Sequence, residues 1–197
     1  MPTNEWDDYA EGWDENPQTS LYASNAFQEL QREVQIRDMR VLDFGCGTGL
    51  LTEKLSPQVK EIVALDGSSK MIEVLNQKKF SNVRAISGFL TNELLNKEIR
   101  LQDKFDLIVA SSVCAFLPDY VGTLKILKNM LSTTGTFVQW DWLVSNEDKS
   151  PGFSLTKLRS DIEIVGFKDV QLTTPFEIEG KTVIMAIMKL ENGTESV

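Results

Sequence analysis

Arg40–Leu51, RVLDFGCGTGLL, decides the fold. Val41, Leu42 and Phe44 make a short apolar strand, Gly45, Gly47 and Gly49 follow, and Leu50, Leu51 and Leu55 begin an apolar helix. Glycine inside an ordinary helix or strand costs roughly 0.5–1 kcal/mol relative to alanine. A chain keeps such a run where the backbone turns sharply or where a ligand must approach it closely. A strand-to-helix junction also leaves the first N–H groups of the helix without partners, a place for a small ligand with an anionic or carbonyl-rich end.

On the N-terminal side, residues 1–20 are acidic and aromatic, with Trp6, Tyr9 and Trp13, and Asn16-Pro17 reads as a break. Ala23, Phe27, Leu30 and Val34 recur at helical spacing and predict a helix from about Ser20 to Ile36. On the C-terminal side, Pro57 closes the helix after the glycine turn. Strands follow at Ile62–Leu65, Val83–Ile86, Phe105–Ala110 and Thr136–Trp140. Between them lie helices carrying Met71, Ile72 and Leu75, a short one at Thr91–Lys97, and one capped by Asp119 with Tyr120, Leu124, Leu127 and Leu131 on one face. These strands are continuous apolar runs, the pattern of strands buried on both faces of a parallel sheet.

The tail changes character. A helix with Leu155, Leu158, Ile162 and Val165 precedes two strands, Phe167–Thr173 and Thr182–Leu190, joined by a segment with Pro175 and Gly180. That connection has no room for a crossover helix, so the two strands should be antiparallel neighbours. The expected fold is α/β: a doubly wound, mostly parallel seven-stranded sheet with an antiparallel C-terminal strand. Ligands in such sheets bind outside the carboxyl ends of the strands, at the switch in strand order. The polar residues 191–197 are expected to fray.

The totals narrow the function. At 197 residues with 42% hydrophobic content, the chain suits one domain: a segment 1–36, a ligand-binding core 37–140 and a substrate-side part 141–197. No run is long and apolar enough for a membrane span, and the acidic start does not read as a secretory signal. With two cysteines, Cys46 and Cys114, a disulfide framework is not expected, which suits a cytoplasmic location. The formal charge of −9, from 29 acidic and 20 basic residues, opposes a nucleic acid partner. The chain has no histidine, which removes a Ser-His-Asp triad, a Cys-His pair and histidine-ligated zinc.

Asp66 ends the second strand seventeen residues after Gly49. A carboxylate there can hold both hydroxyls of a ribose, or it can simply open the Asp66-Gly67 turn. A nicotinamide fingerprint G-x-G-x-x-G counted from Gly45 would need glycine where Leu50 stands. With no basic residue in the turn and Asp43 beside it, the site disfavours a pyrophosphate and suits a nucleoside carrying an amino group and a cationic centre.

VLDFGCGTGLL, IVALDGSSKMIEVL and FDLIVASSVCAFLPD resemble, in order and spacing, the signature segments of class I S-adenosylmethionine-dependent methyltransferases. The opening WDDYAEGWDENP is similar to the small-molecule branch near the ubiquinone-biosynthesis type. The resemblance implies S-adenosylmethionine as cofactor and a small-molecule methyl acceptor. It implies that Gly45, Cys46 and Gly47 pass along the methionine part, with Asp43 near its amino group, and that Asp66 holds the ribose. Gly67 and Met71 would border the adenine, Gly88 and Phe89 would close its other side, and Ser111 would meet the methionine portion. Trp13 would cover the cofactor. The sequence departs from the family where Gly67 replaces a bulky aliphatic residue, Phe89 an acid and Phe116 a histidine.

Alternatives stay open. Met71 and Phe89 also fit as core residues, Cys46 as a packing residue, and Trp140 and Trp142 as pocket lining or a cap on the core. The N-terminal aromatics fit either a lid or a structural flap. Asp141, Tyr9 and Tyr120 are possible acid–base groups that the sequence does not rank, so no catalytic base is assigned. The rival functions are a non-catalytic S-adenosylmethionine-binding sensor or partner subunit, a protein or RNA methyltransferase, and a nicotinamide dehydrogenase.

Overall fold

Residues 5–145, 147–148 and 150–190 are described in the computed structural model; the expected fraying of 191–197 falls outside them. Two 3-10 turns, Glu5–Tyr9 and Trp13–Glu15, precede α1, Pro17–Glu33. The helix begins three residues before the expected start. Asn16 and Pro17, which read as a break, are its cap and first residue: the Asn16 side chain accepts from the Gln18 N–H at 2.9 Å. Proline is tolerated there because its missing N–H would have had no helical partner.

The alternating part follows as β1 (Arg40–Phe44), α2 (Leu50–Leu55), β2 (Glu61–Asp66), α3 (Ser69–Gln77), β3 (Val83–Ser87), α4 (Asn92–Lys97), β4 (Phe105–Ser111) and α5 (Tyr120–Met130). The tail is β5 (Leu131–Trp142), α6 (Leu155–Val165), β6 (Asp169–Ile178) and β7 (Lys181–Lys189). Asp119 caps its helix as expected, accepting from the Gly122 N–H at 2.8 Å, and Ser68 caps α3, accepting from the Met71 N–H at 3.2 Å.

The seven strands form one sheet in the order β3-β2-β1-β4-β5-β7-β6. β1 to β5 pair in parallel, and β7 runs antiparallel to both β5 and β6. The order reverses between β1 and β4, so the crevice for a ligand lies above their carboxyl ends.

Two strand boundaries differ most from the sequence expectation. β5 starts at Leu131, directly after α5. β6 does not stop at Thr173 but runs through Pro175 to Ile178, with a shift in register between Thr173 and Phe176. It is an edge strand, so a residue without an N–H removes no ladder bond on the solvent side. The hairpin to β7 turns on Glu179 and Gly180, with φ of 50° and 73°, the left-handed pair that matches the twist of adjacent strands.

Two apolar layers enclose the sheet. α1, α2 and α3 cover one face through residues such as Leu30, Leu55 and Leu75. α5 and α6 cover the other through Leu124, Leu127, Leu158 and Ile162. Each such side chain contributes about 1.5–3 kcal/mol on burial, which holds the carboxyl ends of the strands in fixed relation. Among the described residues no helix is long and apolar enough to cross a membrane.

Candidate active site

The glycine turn follows directly from β1. Gly45, Gly47 and Gly49 have φ of 71°, 54° and 86°, a left-handed backbone that other residues enter at a cost. The Gly45 and Cys46 N–H groups donate to the Leu65 carbonyl at 2.8 and 3.2 Å, tying the turn to the end of β2. The three positions differ in surroundings. A Cβ on Gly45 would lie 2.4 Å from the Val113 side chain and one on Gly49 2.4 Å from Leu75, whereas one on Gly47 would meet only the Met71 sulfur at 4.0 Å. Gly45 and Gly49 therefore permit close packing, and Gly47 faces the roomier side of the turn.

Asp66 connects turn and helix. Its Oδ2 accepts from the Gly47 N–H and its Oδ1 from the Ser68 N–H, both at 2.8 Å. Burial raises its pKa, against the lowering effect of these two donors. The Gly88 N–H donates to the Asp66 carbonyl at 2.8 Å, so the start of the loop after β3 meets the end of β2. Ser111 ends β4, paired in register with Trp140.

Asp43 lies beneath the turn, 1% exposed. The Thr52 hydroxyl donates to its Oδ2 at 2.5 Å, while its Oδ1 is buried without a partner among the described residues. Burial pushes its pKa up to about 7, opposed by Thr52 and assisted by the Asp66 charge. Cys46 and Cys114 are both buried, and burial raises both thiols well above their ordinary value. That makes them packing residues rather than nucleophiles at neutral pH.

Gly67 and Phe89 form one feature. The Phe89 ring is 68% exposed, and a Cβ on Gly67 would come within 2.6 Å of it. The ring therefore occupies the space that a side chain at 67 would fill. Gly67 carries no positive φ, so alanine there strains no backbone and should act only by displacing the ring. Gly67→Ala is expected to weaken nucleoside binding about fivefold in the native protein and not at all in a Phe89→Ala background, as measured by calorimetry. Equal losses in both backgrounds would uncouple the two residues. Met71 is buried on α3.

The N-terminal segment lies across the turn. Asp14 accepts from the Thr48 hydroxyl at 2.5 Å and pairs with Lys78 at 2.8 Å. Asp7 accepts from the Ser68 hydroxyl at 2.5 Å. Trp13 stands in an aromatic cluster, edge-on to Trp6 and Tyr9, with Trp6 also edge-on to Phe116. These polar ties join residues 61 and 34 positions apart, and no local pattern in the sequence signals them. Thr52 was also missed, although a threonine between the core residues Leu51 and Leu55 is a visible oddity.

A second polar group lies at the end of β5. Asp141, 1% exposed, accepts from the Ala115 N–H at 3.2 Å and from Gln139 Nε2 at 3.1 Å. The Tyr120 hydroxyl donates to Gln139 Oε1 at 2.7 Å. Burial lifts the Asp141 pKa to about 8 against the lowering effect of its two donors. Trp140 points into the core and is fully buried, so it caps the core, while Trp142 packs edge-on to Tyr22 at 5.3 Å.

Asp43 and Asp141 have a consequence for stability. An unfolded aspartate titrates near ~3.9, and both folded values lie above it, so the folded state holds these protons more tightly. Their contribution is fully present below about pH 4. It is lost as pH rises towards about 7 for Asp43 and about 8 for Asp141. Their contribution to the melting temperature should fall between about pH 4 and 8 and level off above that, with a smaller fall in Asp141→Asn; a curve identical in both proteins would contradict the assignment.

Comparison with known proteins agrees with the fold. A family model described as a methyltransferase domain matches residues 20–172. The ubiquinone biosynthesis O-methyltransferase of Histophilus somni is 27% identical over 112 residues, 55% of this chain and 47% of that protein. The ribosomal RNA small subunit methyltransferase A of Mesomycoplasma hyopneumoniae is 27% identical over 143 residues, 68% of this chain and 51% of that protein. The chain thus spans about half the length of these curated relatives. The solved structure of a DhpI–SAH complex superposes with a TM-score of 0.74 at 18% identity, covering 94% of this chain and 93% of that one.

Proposed function

The chain belongs to the methyltransferase-domain family, and from that premise we propose that it uses S-adenosylmethionine to methylate a small-molecule acceptor. The observation that carries the cofactor part is the orphaned Asp43 Oδ1 beneath an unobstructed Gly47. A buried acceptor without a donor is costly, and the amino group of a methionine moiety supplies one, directly or through water.

Gly45, Cys46 and Gly47 would follow the methionine part, and Ser111 would meet it from β4. Asp66 would hold the ribose with the lone pairs that Gly47 and Ser68 leave free. Gly67, Met71, Gly88 and Phe89 would surround the base, with the Phe89 ring as its stacking surface. Trp13, in the aromatic cluster over the turn, would cover the site. When bound, the cofactor supplies an activated methyl group for in-line displacement. The protein's part is to align the acceptor and exclude water. The N-terminal segment, tied down by Asp7 and Asp14, is suited to that exclusion.

The net charge of −9 supports a small acceptor over RNA, since phosphate binding draws on clustered cations. The similarity to a ribosomal RNA methyltransferase keeps RNA as the second reading. Incubating the protein with methyl-labelled S-adenosylmethionine and a cell extract, then separating small molecules, protein and RNA, distinguishes them. Label should appear in the small-molecule fraction; label confined to RNA would replace this reading with the second.

A further inference from the structure

We infer that the Asp141 carboxyl faces the acceptor side of the cleft and takes the acceptor's proton, so that the acceptor belongs to compounds whose attacking oxygen or nitrogen carries a hydrogen. This rests on the methyl-donor reading above and deepens it.

Position is the first argument. Asp66 ends β2, the glycine turn leaves β1, Ser111 ends β4 and Asp141 stands near the end of β5. In the sheet order these strands are consecutive, so the four features form a row above the carboxyl ends. Two strand spacings, about 10 Å, separate the β1 turn from Asp141. That leaves room for the reacting end of the cofactor and an acceptor atom between them.

Chemistry is the second argument. Asp141 is buried, and its two hydrogen bonds come from neutral donors, the Ala115 N–H and the Gln139 amide. A carboxyl kept in such a place costs stability, and the acid–base pair it can form with a ligand gives a reason to retain it. The Tyr22 hydroxyl of α1 is buried without a partner among the described residues, and burial, assisted by the Asp141 charge, raises its pKa. The loop holding the Asp141 carboxyl through Ala115 continues to Phe116, against which Trp6 of the N-terminal segment packs.

The other candidates fall behind. Tyr9 is exposed at the outer surface, and the Tyr120 hydroxyl is engaged by Gln139 and raised far above its ordinary value by burial. With its pKa raised to about 8 by burial, Asp141 is mostly protonated at pH 7 and serves as base in its ionised form, whose share grows as pH rises through about 8. The titratable groups facing it are Tyr22 from α1, Cys114 from the turn after β4 and Tyr120 from α5, with Asp161 of α6 acting on Tyr120. In the step, Asp141 takes the proton that the acceptor's oxygen or nitrogen sheds as its lone pair bonds to the methyl carbon. The electron pair of the broken carbon–sulfur bond stays on sulfur, and the proton leaves Asp141 for water when product departs.

The test needs no acceptor. S-adenosylmethionine and S-adenosylhomocysteine differ by a methyl group and its positive charge, so an ionised carboxylate facing the sulfonium favours the former. Calorimetric dissociation constants for both, from pH 6.5 to 9, give their ratio. In the native protein the preference for S-adenosylmethionine should grow about tenfold across that range. In Asp141→Asn that growth should shrink to the part that Asp43 contributes as it ionises near pH 7. In Gln139→Met, which removes a donor to the carboxylate, it should move to higher pH, a second readout should Asp141→Asn fail to fold. A ratio unchanged with pH in the native protein, or the same profile in all three, overturns the assignment of Asp141. Failure of the native protein to bind either compound defeats the methyl-donor reading itself.

Discussion

Replacing Gly45 with alanine should destabilise the protein by about 3 kcal/mol, from two additive sources. The position has φ of 71°, where a Cβ costs about 1–2 kcal/mol. The new Cβ would also lie 2.4 to 2.9 Å from three atoms of Val113, and forcing a packed neighbour aside costs about 1–3 kcal/mol. Val113 is in the loop after β4, so the collision would wedge apart the strands whose carboxyl ends form the cleft. Urea denaturation measures the loss. Val113→Ala in the same chain should return less than half of it, because it removes two of the three clashing atoms but keeps the Cβ at 2.6 Å and the backbone strain. A loss below about 0.5 kcal/mol, within the range of an ordinary surface change, would show that the turn is not packed as described.

Replacing Asp66 with alanine should weaken S-adenosylmethionine binding by about 10- to 100-fold, or about 1–3 kcal/mol. Its two oxygens fix the Gly47 and Ser68 N–H groups, and the ribose would draw on the same carboxylate. Loss of the side chain would therefore remove the proposed ribose contact and loosen the turn proposed to carry the methionine part. Asp66→Asn separates the two effects. It keeps one acceptor oxygen for the backbone but lacks the second, so it should hold most of the stability and lose most of the affinity. Unchanged affinity in Asp66→Ala, measured by calorimetry, would reduce Asp66 to a turn residue.

The fold was legible because its signals are local. Glycines flanked by an apolar strand and an apolar helix, continuous apolar strands and N-cap residues all act within a few positions of themselves. The antiparallel tail followed from connection length alone. What the sequence hid depends on distant partners. The ties of Asp7 and Asp14 to Ser68 and Thr48 exist only once the chain folds back on the turn. The Phe89 ring over Gly67 shows that two departures from the family pattern, separate in sequence, are a single arrangement in space. Pro175 within β6 was misread because sequence does not say which strand lies at an edge. Asp141 could not be ranked, since its burial and its two donors come from the meeting of β5 with the loop after β4.

We propose that the glycine turn, Asp43 and Asp66 together hold a sulfonium nucleoside, and one titration tests that most directly. S-adenosylhomocysteine and NAD are each titrated into the protein by calorimetry at neutral pH. The account predicts saturable binding of S-adenosylhomocysteine in the micromolar range and no heat of binding with NAD. Binding of NAD with none of S-adenosylhomocysteine would contradict it.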